Sequence, residues 1–577
     1  MIVPLRIALV TPFSWSQPHD VNDHVAGAAA ALRARGHHVT VIAPSNRRAE
    51  LVAGRRALAQ GIAPEVLAIA PAVPVSRRSQ VAVTMGTRAS LRLALDLGFD
   101  IVHGFEPGLA SISRLALAEA ETLTVASFLS PERAASPATR PRRDRLRIRV
   151  DALLATSDDA AAAAEARLPG DYRVIPAGVD VELFRPGRKE RMIGVQLEAG
   201  ARPLVRAAIR ALDELPGWEV TGLHTKPLSF RPAVPTRLRG RVHVRSVRRQ
   251  AARAELLSAV AVFVPVTGGH TRLRLEAAAA GCAIVDPPGT DAQPELVTAA
   301  VARLGERDEH RAREGEQARA GATLQSFEAL ADQLEDVYSA LRGKRRARRD
   351  ADPLADRDWI VADLHMHTSW SHDCSIDVPD LLEHSSRIGL GAIAVTDHNV
   401  FGGARRAVEL ARGGDLIVIP GEEIKTDTQG EVIGLFLHEE IPRGMPFPDT
   451  LAAIREQGGV VYLPHPFDRL HAIPDPATLH RHLDEIDVFE VFNARLLREV
   501  FNDEAARFAR KYRLLEGAGS DAHVLQGVGT GALRLRRFEG PEEFLLALRT
   551  AEVLRRPKSL AYLQGLKWVA QVKERVR

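Results

Sequence analysis

The sequence predicts an α/β protein from end to end, with two domains on open parallel sheets followed by a β/α barrel. Three observations carry that expectation. Short apolar strands alternate with Ala/Leu/Arg-rich helices along the chain. The clearest break in the pattern is at 342–358 (RGKRRARRDADPLADRD), a charged stretch with a proline and no apolar period, as an interdomain linker has. Beyond that break, six apolar runs each lead into an acid, imidazole or amide side chain.

At 577 residues the chain is too long for one core, and two to four domains are expected. Candidate strands at 6–10, 38–42, 101–103, 123–127, 152–155 and 172–175 form the first sheet, in a domain spanning 1–185. Those at 192–195, 219–222, 260–264 and 283–286 form the second, over 186–341. That domain closes with a helix at 323–341, where Phe327, Leu330, Leu334, Val337 and Leu341 fall at helical spacing. Two such sheets in succession leave a cleft between them. The barrel occupies 359–577.

Composition excludes several classes. With 45% hydrophobic and 26% charged residues, the chain reads as an ordinary soluble globular protein. Cys282 and Cys374 lie too far apart in sequence to suggest a disulfide framework or a Cys-rich zinc site, which fits a reducing cytoplasm. The opening MIVPLRIALVTPF reads as a first strand rather than a leader, and no uncharged apolar run reaches the roughly 18 residues of a membrane span. A net charge of +4 gives no strong case for nucleic acid. The basic clusters 140–149 and 342–349 read as a solvated helix face and a charged linker. A phosphate-rich partner or peripheral contact with an anionic membrane is the alternative.

Chemistry concentrates after residue 359. The run 359–364 leads into Asp363-Leu-His365-Met-His367, and in extended chain the two imidazoles project to one side, where they can share an ion. Run 391–395 precedes Asp397-His398-Asn399, and run 416–419 precedes Pro420-Gly-Glu422-Glu423. Run 459–463 precedes Pro464-His465-Pro466, 488–492 precedes Asn493, and 514–518 precedes Gly519-Ser-Asp521-Ala-His523. A lone histidine is more often a core or surface side chain than a ligand. Six strand ends converging on one rim of a barrel are not explained that way, because that rim is where barrel enzymes assemble their sites.

The strings DLHMHTSWSHD, VTDHN, IPGEEI, PHP and GSDAH, in that order, resemble the polymerase and histidinol phosphatase (PHP) superfamily over nearly all of 359–577. The resemblance implies a distorted β/α barrel, two or three divalent metal ions and hydrolysis of a small phosphate ester, a phosphomonoester or nucleotide. Its implied ligands are His365, His367, Asp373, His398, Glu423, His465, Asp521 and His523. His372 is the alternative to Asp373. Glu422 competes with Glu423, which the Gly-x-Glu pattern favours. Family members often carry a further His in the next strand, where this chain has Ile433. A mixed nitrogen and oxygen set suits Zn, Mn or Fe rather than Mg or Ca. Paired ions activate a water and neutralise phosphoryl oxygens. Glu423 and Asp521 suit bridging or terminal ligation, His398, His523 or a metal-bound water is the candidate acid for the leaving group, and Asp363 and Asp397 can orient ligands from behind. Arg469, Asn493 and Arg495 are candidates to hold the substrate phosphate.

In the first 340 residues, IALVTP at 7–12, FDIVHGFEP at 99–107, YRVIPAGVDVELFRP at 172–186 and LEAAAAGCAIV at 275–285 resemble retaining glycosyltransferases with two Rossmann-like domains, the GT-B class. The departures fall on chemistry. The first loop reads Gln17-Pro-His-Asp20 where the family has a Gly-Gly turn. Gln196 and Ala201 occupy positions where its Arg and Lys hold the donor diphosphate. Of two family glutamates only Glu276 survives, beyond Gly268-Gly269-His270. Gly268 and Gly269 can cradle an anion, and with Glu276 they form a nucleotide-sugar-like site. His103 matches a common family position. A diphosphate without its counter-charges is costly to bury, so a degenerate module is expected. The alternative is a glycosyltransferase using a nucleotide-sugar donor, with the PHP domain accessory or regulatory.

Overall fold

The computed structural model describes residues 3–76, 79–82, 87–134, 143–198, 200–225, 228, 230–266, 272–285, 293–347, 351–469 and 472–556, with backbone alone at 73–76, 79–82 and 143–145. The chain divides into two compact units, Met1–Leu341 and Arg342–Arg577.

The first unit holds two parallel sheets. Strands β1 (Arg6–Val10), β2 (His38–Pro44), β3 (Val66–Ala70), β4 (Ile101–Phe105), β5 (Leu123–Phe128), β6 (Ala152–Ala155) and β7 (Tyr172–Val174) lie in the order β3-β2-β1-β4-β5-β6-β7. Ile7 to Val10 are all buried, because helices cover both faces of a parallel sheet and leave no solvated side to alternate with. Strands β8 (Met192–Gln196), β9 (Glu219–His224), β10 (Val242–Ser246), β11 (Val262–Val264) and β12 (Ala283–Ile284) form the second sheet, in the order β10-β9-β8-β11-β12. Strand order reverses beside β1 and beside β8, which puts a crevice at each sheet's carboxyl edge. Among the described residues four strands of this unit lie outside the sequence expectation: β3, β10 and a separate antiparallel pair, Ala72–Ser76 and Ser79–Ala82. The run VLAIA of β3 is too short for periodicity to separate strand from helix, and the edge strand β10 is largely exposed and carries Arg245 and Ser246.

In the second unit nine strands form one curled sheet: β13 (Trp359–Asp363), β14 (Ala392–Val395), β15 (Ile417–Lys425), β16 (Glu431–Leu435), β17 (Val460–Leu463), β18 (Val488–Asn493), β19 (Leu515–Gly519), β20 (Gly531–Arg536) and β21 (Glu552–Arg555). The order is β19-β18-β17-β16-β15-β14-β13-β20-β21. The curl brings β19 back to the chain leaving β13, where Leu364 N donates to Ala518 O at 3.3 Å and Asp521 N to His365 O at 2.8 Å. The result is a nearly closed, distorted barrel. It is not wholly parallel: β16 runs against both of its neighbours, and β20 runs against β13 and β21. Ala362, Leu364, Ala394, Ile433, Tyr462, Phe492 and Leu533 fill its core.

The charged stretch 342–358 is stitched onto this unit where it is described. Arg346 N donates to Tyr512 O at 3.1 Å, and its guanidinium reaches the carbonyls of Leu483 and Ile486. Asp352 pairs with Arg536 at 3.0 Å, Arg357 with Glu543 at 2.9 Å, and Leu354 is buried in the barrel core. Among the described residues no helix is long and apolar enough to cross a membrane.

Candidate metal centre

Each side chain of the centre is aimed by a strand end. Past β13, Leu364 lies in the barrel core, and His365 and His367, two residues apart, bring their rings to within 5.3 Å of each other as alternation allows. His365 fits only because residue 519 is glycine, since a Cβ there would lie 2.2 Å from the His365 Cβ. Three neighbouring loops turn through left-handed backbone at residues that are not glycine: Asn399 (φ 56°), His465 (φ 27°) and Asp521 (φ 51°). Such turns cost free energy and persist where the surrounding structure holds them.

Glu423 is the hub. Its Oε2 lies 3.3 Å from His365 Nε2, 3.4 Å from His367 Nε2 and 3.1 Å from His398 Nδ1, and its Oε1 lies 3.1 Å from His465 Nε2. Asp521 Oδ1 is 3.5 Å from His367 Nε2 and 3.1 Å from Arg495. Asp373 Oδ2 is 3.0 Å from His523 Nε2, and its Oδ1 is 3.8 Å from His398. Among the described residues, donor atoms lie within 4.8 Å of one another in four sets: His367, His398 and His523; His365, His367 and Asp521; His365, Glu423 and His465; and His398, Glu423 and Glu431.

Groups behind these side chains fix which ring nitrogen faces inward. His365 Nδ1 meets the Glu490 carboxylate at 3.1 Å, and His523 Nδ1 meets the Asp521 carbonyl at 3.0 Å, so both are donors. Ser371 Oγ gives its proton to Asp397 at 2.8 Å and accepts from His398 N at 3.0 Å, and His367 Nδ1 sits 3.2 Å from it. The Nε2 lone pairs of His365 and His367 then face each other at 3.3 Å. Two lone pairs at that distance need a proton or a cation between them, and a buried set of imidazoles and carboxylates is one that could hold a metal ion.

Electrostatics follow the same geometry. Burial would lower His398 and His465, but Glu423 outweighs it and lifts each to about 9. Glu423 is held well below the carboxylate range, its burial outweighed by His365 and His398. Burial, reinforced by His523, drives His367 down to about 3.

Glu422 turns to the other side of its strand and accepts from Ile441 N at 2.9 Å. Neither His372 nor Asp373 belongs to any of the four donor sets; the His372 ring centroid is 5.8 Å from that of His398, whereas Asp373 reaches His523 Nε2 at 3.0 Å. Asn493 donates to Glu490 at 3.1 Å and to Asp521 at 3.3 Å and accepts from Arg495 N at 2.9 Å, so it braces its neighbours. Arg495 stands at the cluster, 3.2 Å from His523 Nε2, whereas Arg469 pairs with Glu504 at 3.1 Å. Asp363 is buried and accepts from Ser520 N and Gly529 N, both at 2.9 Å. Sequence reasoning missed Glu431 and Glu490. Glu431 opens the antiparallel strand β16, so the start of that strand, rather than its end, reaches the rim. Glu490 lies mid-strand, where a buried carboxylate binding Tyr462 Oη at 3.0 Å leaves no pattern to find.

In the first unit, Glu276 is buried and already paired. Arg253 grips it bidentately at 2.6 and 2.9 Å, and Arg272 adds a bond at 2.9 Å. Arg253 also donates to Asp23 at 2.7 Å, tying the second sheet's helix Gln250–Ala259 to the first sheet's helix Asp20–Ala34. Gln196 accepts weakly from Val266 N at 3.5 Å, and Ala201 is buried. His103 is a core residue, 2.8 Å from Tyr338 Oη and 2.6 Å from Ser127 Oγ. Gly268 and Gly269 lie outside the described residues, as do 140–142 and 348–349 of the basic clusters.

Comparison with known proteins finds three matching family models: Glycosyltransferase Family 4 over residues 21–183, PHP domain over 363–471 and PHP-associated over 500–553. An uncharacterized protein of Methanocaldococcus jannaschii is 36% identical over 214 residues, which is 35% of this chain and 85% of the relative. A phosphatidyl-myo-inositol mannosyltransferase of Propionibacterium freudenreichii subsp. shermanii is 32% identical over 213 residues, 36% of this chain, and the chain spans 50% of that enzyme's length. Among solved structures, AviGT4, a glycosyltransferase involved in avilamycin A biosynthesis, matches at a TM-score of 0.35 and 17% identity, covering 59% of this chain and 98% of its own.

Proposed function

The chain belongs to the PHP family through residues 363–471 and to glycosyltransferase family 4 through residues 21–183, and from that premise we propose that its second unit hydrolyses a small phosphate ester. One observation carries the reading: a single buried carboxylate, Glu423, is shared by His365, His367, His398 and His465, with Asp521, Asp373 and Arg495 alongside. Two or three ions bound there supply an activated water and neutralise phosphoryl oxygens. His365, His367, His398, Glu423, His465, Asp521 and His523 would hold them, Asp373 would join beside His523, and Glu431 would join the set where Ile433 offers no ligand. Glu490, Ser371 and Asp397 keep the imidazoles turned inward. Arg495 offers a planar fork of donors to the phosphoryl oxygens. His398, whose side chain is 17% exposed, is the candidate to deliver the proton to the leaving oxygen, and the buried His523 is the alternative. The substrate is a phosphomonoester or a nucleotide.

The first unit is read as a degenerate glycosyltransferase module, because Arg253 and Arg272 already occupy Glu276 and no cation stands at 196 or 201. The family 4 match and the mannosyltransferase relative favour the second reading, a transferase taking a nucleotide sugar beside Glu276. Calorimetric titration with UDP- and GDP-sugars separates them, since measurable binding supports only the transferase. For the esterase, metal content is measured together with phosphate release from generic mono- and diesters, for wild type and His365→Ala/His367→Ala. Bound ions with hydrolysis abolished in the double variant support the proposal. A wild type that takes up no metal overturns it.

A further inference from the structure

We propose that Trp370 is a stacking platform at the mouth of the metal centre, selecting phosphate esters whose leaving group carries a planar ring. The inference rests on the phosphoesterase reading and names the substrate class of that site. Trp370 lies in the loop between His367 and Asp373, three residues from each, and is 54% exposed. The exposure is not laxity. One side of the indole presses on the backbone that opens the helix Gly402–Ala411, where a Cβ on Gly402 would lie 2.2 Å from the ring and one on Gly403 3.1 Å from it. Two consecutive glycines therefore make the seat, and they stand four and five residues after His398.

The loop is tied down on both sides of the ring. Trp370 N donates to Thr368 Oγ1 at 3.3 Å, Ser369 N to Ile376 O at 2.8 Å and Cys374 N to Ser371 O at 3.2 Å. The seat is also close to the chemistry. The Cβ position of Gly403 that meets the indole lies 2.1 Å from Asp397 Oδ2, and Asp397 holds the Ser371 hydroxyl that contacts His367.

Across the cluster, the loop after β18 carries Arg495 and, two residues on, Leu497, which is 66% exposed. Arg495 and Asp373 approach to 4.0 Å, so the two loops meet over the same point. A charged centre built for a phosphoryl group is thus flanked by apolar surface on both loops. A fixed aromatic face with its other side open suits a flat ring, whereas a short aliphatic alcohol would gain nothing from it.

The test uses the metal-loaded full chain with 4-nitrophenyl phosphate, adenosine 5′-monophosphate and glycerol 3-phosphate. Stacking of a base on an aromatic residue is worth enough to change affinity by about tenfold or more. Trp370→Ala is expected to raise KM for ring-bearing esters about tenfold and leave both kcat and glycerol phosphate turnover unchanged. Trp370→Phe restores most of the loss. A shift with the adenosine ester alone assigns the platform to a nucleobase, and a shift with both assigns it to any planar ring. Equal losses for all three esters, or none for the ring-bearing pair, overturn the proposal while the esterase stands. If wild type hydrolyses none of them the esterase reading falls, and calorimetry then decides. Trp370→Ala must weaken adenosine monophosphate and spare glycerol phosphate, and any other result, including no binding by wild type, overturns the platform.

Discussion

Replacing Glu423 with glutamine keeps the shape of the hub and removes its charge. In wild type the two carboxylate oxygens serve four imidazoles, His465 on one and His365, His367 and His398 on the other. A glutamine retains one carbonyl oxygen and presents an amide N–H₂ where the other stood, so imidazole lone pairs meet a donor and the bridge between ions is lost. Four-ligand zinc sites are worth roughly 10–16 kcal/mol, about 3 kcal/mol per ligand, so ion affinity should fall about 100-fold. Glu423→Gln also removes the charge that lifts His398 and His465 to about 9, leaving burial to pull both down. Metal content after dialysis at micromolar free ion, with phosphate release in parallel, reads both consequences. A variant that keeps its full complement of ions and hydrolyses within tenfold of wild type would refute the hub argument.

Arg495→Ala should cut kcat/KM by about 100-fold, the worth of a charge-assisted hydrogen-bond pair at a phosphoryl group, with ion content unchanged. Loss of the ions would instead make Arg495 a support for Asp521. Arg253→Ala strands Asp23 and leaves Glu276 to Arg272 alone, and breaking a buried pair costs about 3 kcal/mol, visible as a lower urea midpoint of the first unit. A loss under about 1 kcal/mol would mean that Arg272 suffices. Burial, with help from Arg272, lowers His24 to about 3, and burial lowers His103 to about 3 as well. The unfolded chain therefore binds more protons between about pH 6.5 and pH 3, and stability of the first unit should fall by up to about 1.4 kcal/mol per pH unit for each as pH drops through that window. His103→Gln should flatten the urea midpoint against pH, and an unchanged slope would exonerate His103.

The sequence by itself determined the chemistry that sits at strand ends. His365 and His367 are legible because extended chain alternates with a period of two, and the same alternation puts Glu423 and Glu422 on opposite sides of one strand. The two parallel sheets are legible because strands covered on both faces read as unbroken apolar runs. The tertiary structure alone decided what depends on direction or long-range pairing. Glu431 reaches the rim because β16 runs antiparallel, and no local pattern encodes the direction of a strand. Arg253 finds Asp23 at a separation of 230 residues, and at such distance an arginine on a helix looks like any solvated charge. The stretch 342–358 reads as free linker because charge and proline signal exposure, yet Arg346 and Asp352 find carbonyls and a guanidinium waiting on the barrel. Composition records what a side chain can bind, and only the folded chain supplies the partner.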